Sequence, residues 1–167
     1  MSNRRLKGSH RAAPPPTPGR PRPDKAARLD LGVLDGHLGY FIRRLQVWVF
    51  QDFIRTLATI DIRPAQYSVL VVIAANPGAS QSQIAATLGI ERARLARLLN
   101  KLEKRDLVER LESPSDARSH ALRLTRDGNR TLKRARTLAA KHETRLAEIL
   151  GPERHKLLID SLRDSSR

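Results

Sequence analysis

The sequence predicts a mainly α-helical fold carrying a small β-wing, and three observations point to it. After Leu31, apolar residues recur at three- and four-residue steps through most of the chain, the spacing that gives a helix one buried stripe. Two short runs of strand character, Val108 to Glu112 and His120 to Leu124, flank a polar loop of turn-forming residues, Ser113-Pro114-Ser115-Asp116-Ala117-Arg118-Ser119. Residues 1–28 follow neither pattern. They hold six of the ten prolines and eight basic residues against one acid, Asp24.

A segment of that composition cannot bury enough apolar surface to offset its ordering entropy, so 1–28 is expected to be a disordered, basic, Pro-rich arm, either solvated or in non-specific contact with phosphate. The remainder, 29–167, is expected to form a single domain. Leu34, Leu38, Phe41, Ile42, Leu45, Val49, Phe53, Leu57 and Ile60 predict a long helix over about 33–59. Pro64 suits the first turn of a second helix running from Ala65 to Ala75, which Asn76-Pro77-Gly78 stops. Ser80 and Gln83 have capping-box spacing and open a short helix that Gly89 ends. A further helix follows over about 91–105, then the two strands and their loop. Thr125 can cap a long helix to about Ile149, Gly151-Pro152 breaks it, and a last amphipathic helix carries Leu157, Leu158 and Leu162.

Charge narrows the function. Lys and Arg number 32 against 17 Asp and Glu, a net +15 that points to a polyanionic partner, nucleic acid or an acidic membrane surface. The longest apolar run, Val69 to Ala75, is far too short to span a bilayer, and the charged N-terminus lacks the apolar stretch of a secretory signal. There is no cysteine, so disulfide, thiolate and zinc-finger chemistry are excluded and a cytoplasmic location is expected. The five histidines are scattered without acids at metal-ligand spacing, and no Gly-rich phosphate loop is present. No enzyme, catalytic residue, metal or cofactor is therefore expected.

Helix, Gly turn, helix, strand, polar loop, strand is the order of a winged helix-turn-helix, here over 63–125. Its second helix enters the major groove, which is wide enough to admit a helix. That helix places Leu95, Leu98, Leu99 and Leu102 on one side. Arg94, Arg97, Lys101 and Lys104 form a stripe at i, i+3, i+4 spacing on the other, with Arg92 nearby, while Glu91 and Glu103 fall outside it. A solvated face usually mixes signs. Arg92, Arg94, Arg97 and Lys101 are accordingly the expected DNA contacts, with Ser80 and Gln81 at the start of the preceding helix.

The unit resembles the multiple antibiotic resistance regulator (MarR) family of bacterial transcription factors. The residues that carry the resemblance are Leu102-Glu103-Lys104-Arg105-Asp106-Leu107-Val108-Glu109-Arg110, then Asp116-Ala117-Arg118, then Leu122-Arg123-Leu124-Thr125 and Gly128. Asp106 stands where the family usually has glycine, at a site wanting a left-handed backbone that Asp tolerates better than most residues. The resemblance implies that Arg118 reaches into the minor groove and that Asp116 organises the wing, in keeping with the negative potential of a narrow minor groove. It also implies a homodimer joined through the first and last helical regions, 29–62 and 126–167, on a double-stranded palindromic operator.

Many members of that family respond to small aromatic ligands, and the first helix here supports a pocket. All six aromatic residues, Tyr40, Phe41, Trp48, Phe50, Phe53 and Tyr67, lie in the first two helices. Tyr40, Arg44 and Trp48 share a helix face. A stripe of this kind fits a dimer core as well as a ligand site, but Arg43 and Arg44 beside it call for an anionic partner. Tyr40, Arg43, Arg44, Trp48 and Phe50 are the expected ligand residues. Leu38 to Phe53 is similar to the subgroup that responds to hydroxycinnamoyl-CoA thioesters such as p-coumaroyl-CoA, which implies a repressor released by an aromatic carboxylate or its CoA thioester. The alternative is a constitutive architectural DNA-binding protein with no ligand response.

Overall fold

The structure, a computed structural model, describes residues 29–112 and 120–165. The basic arm of residues 1–28 and the wing loop 113–119, with Asp116 and Arg118, lie outside the described residues. The chain divides into two units, Met1–His37 and Leu38–Arg167. The described part of the first is a single 3-10 turn, Gly32–Gly36. Gly32 there has φ +53°, a left-handed backbone that glycine adopts freely, and donates its N–H to the Asp30 carboxylate at 2.9 Å.

The second unit runs α1 (Leu38–Thr56), a 3-10 turn (Ala58–Ile60), α2 (Pro64–Ala75), α3 (Gln81–Leu88), α4 (Arg92–Glu103), β1 (Val108–Glu112), β2 (His120–Leu124), α5 (Arg126–Leu150) and α6 (Pro152–Ser165). The single helix expected over 33–59 is thus three pieces. Apolar periodicity continues through all of them, but glycines at 32, 36 and 39 weaken the start. At the other end the chain tightens after Thr56 and turns at Asp61, which has φ +47°.

The core gathers on α2, whose Val69, Leu70 and Ile73 are fully buried while Val71, Val72 and Ala74 also pack inward. This explains why the helix is apolar on every side: α1, α3, α4, α5 and β2 all contact it. Leu95, Leu99 and Leu102 of α4, Ile84 of α3 and Leu122 of β2 close around it. The strands pair antiparallel, with Val108 opposite Leu124 and Glu112 opposite His120. Gly78 and Ala79 bond Leu122 on its other edge at 3.0 Å, adding a short third rung.

Two junctions fix α4 in place. Arg105, just past its end, donates to the carbonyls of Asp61 at 2.7 Å and Ile60 at 3.1 Å, tying it to the turn after α1. Asp106 then adopts φ +52°, the left-handed step anticipated for it, and its carbonyl accepts from the Thr125 hydroxyl. Thr125 also caps α5 by accepting from Gly128 N–H at 2.9 Å. Gly128 packs so closely on β1's approach that a Cβ there would lie 1.9 Å from the Leu107 carbonyl oxygen.

The α1–α5 contact holds a polar network. His142 is fully buried, and its Nδ1 lies 2.8 Å from Oδ2 of Asp52. Arg145 donates to the same oxygen from Nη2 at 2.6 Å and from Nε at 3.2 Å, and also bonds Thr56 Oγ1. The Arg145 guanidinium, with His142 and Arg55 adding to it, holds the Asp52 carboxyl well below the usual carboxylate range against the opposing effect of burial. Phe53 packs edge-on against the His142 ring at 5.4 Å and against Tyr67, whose hydroxyl burial pushes up in pKa.

Candidate nucleic-acid interface

The helix-turn-helix is built by local chemistry. Ser80 caps α3, accepting from Gln83 N–H at 3.3 Å while the Gln83 side chain accepts from Ser80 N–H at 2.8 Å. Gly89 closes α3 with φ +58°, and Ile90 bonds back to Ala85 at 3.0 Å, so the chain reverses within two residues. Gln81 reaches from the first turn of α3 to the Arg92 carbonyl at the first turn of α4, at 3.4 Å. Ser80 and Gln81 are half-buried in this arrangement, and the free N–H groups at the start of α3 suit an anion such as phosphate.

α4 turns Leu95, Leu99 and Leu102 inward and leaves its cations in solvent. Arg94, Arg97, Lys101 and Lys104 line one open groove with Leu98 and Asn100, of about 490 Å³. Among the described residues none of these four cations has an acidic partner within ion-pair distance. Arg92 is exposed at the start of the helix and does not line the groove. Glu103 is held by Arg110 of β1 at 3.2 Å, which turns its charge toward the wing strand and away from the stripe. The same guanidinium donates from Nη2 to Asn100 Oδ1 at 3.0 Å. Sequence reasoning missed this Asn100–Arg110–Glu103 bracket, because it joins a helix to a strand. Glu109 and Arg123, directly opposite in the hairpin, form a second ion pair at 2.8 Å.

An exposed row of unpaired guanidinium and ammonium groups on a narrow helix can do two things. It can neutralise phosphates, and it can donate in pairs to the acceptors on a guanine edge.

A second concavity lies on α1. Arg43, Arg44, Val47, Trp48 and Gln51 line an open depression of about 300 Å³. Tyr40 sits one turn earlier, its hydroxyl 3.3 Å from Arg44 Nη1 and its ring 5.7 Å below that guanidinium. The structure therefore brings Arg43, Arg44 and Trp48 together with Tyr40 alongside, whereas Phe50 does not line the depression and is exposed elsewhere on the helix. Neither arginine has an acidic partner among the described residues. No group of three His, Cys, Asp or Glu that could hold a metal ion occurs among the described residues, and none of their helices is long and apolar enough to cross a membrane.

Comparison with known proteins bears on both surfaces. The family model described as MarR family matches residues 60–119, the turn after α1 through the wing loop. A transcriptional regulatory protein for the hcr operon of Thauera aromatica is 33% identical over 146 residues, covering 87% of this chain and 88% of that protein. The transcriptional repressor CouR bound to a 23-mer DNA duplex is similar at a TM-score of 0.80 and 45% identity, covering 84% of this chain and 100% of that one. CouR bound to p-coumaroyl-CoA gives a TM-score of 0.78 and 42% identity, over 84% and 99% of the two chains. With that likeness extending over the helices as well as the winged unit, and with a cationic reading helix where such a regulator needs one, the chain belongs to the MarR family of DNA-binding transcriptional regulators and is not an enzyme.

Proposed function

We propose that this chain is a dimeric repressor that holds a palindromic operator and releases it when an aromatic acyl-CoA thioester of the p-coumaroyl-CoA type binds near α1. The observation that carries the reading is the depression on α1, where two arginines without acidic partners among the described residues flank the Trp48 indole, with the Tyr40 ring against Arg44 one turn earlier. An aromatic acyl group would pack on Trp48 and Tyr40, and the phosphates or carboxylate of the effector would meet Arg43 and Arg44. The 42% identity to a repressor bound to p-coumaroyl-CoA supports the thioester over the free acid.

The dimer rests on apolar surface that a lone chain leaves in water. Phe41, Ile42, Val47 and Phe50 of α1 and Leu157, Leu158, Ile159 and Leu162 of α6 are all exposed. An apolar surface of that extent favours a partner, and a second copy of the chain supplies matching faces. We read 29–62 and 126–167 as the dimer-forming parts and 63–125 as the DNA-binding unit. Ser80, Gln81, Arg92, Arg94, Arg97 and Lys101 are then the major-groove and phosphate contacts, with Asp116 and Arg118 serving the wing. We assign the protein to the cytoplasm, where its DNA is.

Release requires that the effector bind the DNA-free conformation more tightly than the DNA-bound one. α1 carries the depression and ends at the turn that Arg105 grips, so a shift of α1 bears directly on the end of α4. Titration calorimetry with p-coumaroyl-CoA, p-coumarate and CoA tests the reading. The thioester should bind, and Arg44→Ala should lose it while operator binding persists. If none of the three ligands binds and operator affinity is unmoved, the effector assignment falls and a constitutive DNA binder remains.

A further inference from the structure

We infer that Arg105 is a positioning residue for operator binding: without touching DNA, it fixes the angle of α4 on the dimer-forming helices and so the half-site spacing that the dimer accepts. The inference rests on the dimeric reading above and adds to it the residue that sets its geometry.

Arg105 joins two fixed points. On its own side the end of α4 is wound shut, with the Arg105 and Leu107 N–H groups donating to the Leu102 carbonyl at 3.2 and 2.9 Å, and Leu102 and Leu107 are buried. On the other side the turn after α1 is closed by Ile60 N–H on Leu57 at 3.1 Å and Asp61 N–H on Ala58 at 3.2 Å. Ile60 and Ile62 anchor that turn in the core. Asp61 lies between them with φ +47°. Its carbonyl accepts from Nη1 of Arg105 at 2.7 Å, and that of Ile60 accepts from Nη2 at 3.1 Å. A planar fork with donors in fixed directions holds two carbonyls at once, which an ammonium on a flexible stem does poorly. The Asp61 carboxylate adds little, since it is exposed and 3.8 Å away. Among the described residues this clamp is the one polar link between the turn and α4.

Apolar packing around α2 holds the winged unit on α1 and α5, but it is non-directional and lets packed helices slide and tilt. A two-pronged hydrogen bond is directional and resists such a tilt at the end of α4. The lever is long. Arg94 lies in the first turn of α4, ~16 Å from Arg105 at helical rise, so a tilt of about 10° moves it by ~3 Å. One added base pair moves a half-site by a similar ~3.4 Å. The two reading helices must sit one DNA turn apart, ~34–36 Å, so the tilt in both subunits enters the fit. Arg105 itself does not line the cationic groove of Arg94, Arg97, Lys101 and Lys104, which leaves angle rather than contact as its route to the DNA.

The test uses the full-length chain on the palindromic operator that the wild type selects from random DNA, and on versions with one base pair added or removed between the half-sites. The wild type should lose about tenfold at either altered spacing, the scale of one mismatched base pair. Arg105→Ala and Arg105→Lys should flatten that loss to about threefold or less, while binding the native spacing more weakly and a single half-site as the wild type does. Asp61→Asn, which tolerates the left-handed backbone and keeps the carbonyl, should retain the wild-type profile. Arg105→Lys preserves the stem and the charge, so the comparison stands even if the alanine variant does not fold. Arg105 variants as sensitive to spacing as the wild type overturn this inference alone. So does an equal loss at every spacing and on the half-site, which would make Arg105 a phosphate contact. Flattening by Asp61→Asn overturns it too, because the ion pair would then be the clamp. A wild type that tolerates every spacing, or selects no sequence, overturns the dimeric operator reading together with this one.

Discussion

Replacing Asp52 by asparagine removes a charge from the junction of α1 and α5 while keeping its shape. The carboxylate is only 15% exposed and accepts from Arg145 twice, from His142 and from Arg55. Hydrogen bonds to a charged group contribute about 1.5–3 kcal/mol each when a partner is buried. Here the partners differ in what they can recover. Arg145 is 41% exposed and Arg55 68%, so both can turn to water, but His142 is buried and cannot. The loss should therefore be about 2 kcal/mol, within the range for a hydrogen bond to a charged group and below that for breaking a fully buried ion pair, because two of the three partners can reach water. In a chain of this size that lowers the melting temperature by about 4–8 °C, compared at equal protein concentration because dimerisation raises it by mass action. The acid limb follows with a definite sign. Asp52 binds its proton more weakly in the folded chain than in the unfolded one, so its stabilisation is present at neutral pH and is lost as pH falls below about 5. Thermal melts between neutral and acid pH should show the wild type losing stability more steeply than Asp52→Asn, with the curves converging. Arg145→Gln should cost less in the Asp52→Asn background than in the wild type. An Asp52→Asn protein that melts with the wild type at neutral pH, or a parallel acid limb, would refute this account of the junction.

Other perturbations follow from single contacts. Gly128→Ala drives a Cβ into the Leu107 carbonyl at 1.9 Å, so chemical denaturation should show a loss of about 2–3 kcal/mol, and an unchanged midpoint would mean the α5 start is less tightly seated than described. Asp106→Gly should raise stability by about 0.5–1 kcal/mol in the same assay, since Asp106 holds φ +52° and contributes its carbonyl, which glycine retains. For Arg94→Ala and Arg97→Ala, if either residue makes a bidentate base contact, fluorescence anisotropy should show a cost of about 1–3 kcal/mol on the operator with relaxed specificity at one position. Equal losses on operator and random DNA would leave those two residues as phosphate contacts.

Local chemistry made much of this fold legible from residues alone. Both strands occupy the residues expected, 108–112 and 120–124, because short apolar alternation bounded by Ser, Pro and Asp admits few alternatives. The Ser80–Gln83 box, the Gly89 turn and the Thr125 cap are three- and four-residue signals and read the same way in three dimensions. The division of the first helical region did not show, since its apolar period runs through Gly32, Gly36 and the turn at Ala58–Ile60 without a gap in register. The glycines carried the warning. His142 gave no sign of its partner, because Asp52 lies 90 residues earlier and only the packing of α1 on α5 unites them. The Asn100–Arg110–Glu103 bracket did not show for a related reason: Arg110 lies across a turn, on a strand. Along α1, Arg44 and Trp48 line the depression one turn apart, as their four-residue spacing implies, while Tyr40 lies a turn earlier and Phe50 is not among the lining residues.

If operator binding and effector binding are linked through this one chain, as proposed, a single titration shows it. The wild-type protein is bound to labelled DNA from its own upstream region, and p-coumaroyl-CoA is added while anisotropy is followed, with p-coumarate and CoA as separate controls. The thioester should release the DNA at concentrations where neither control does, and Arg44→Ala should stay bound throughout. DNA that remains bound at saturating thioester, or that CoA alone releases equally well, would contradict it.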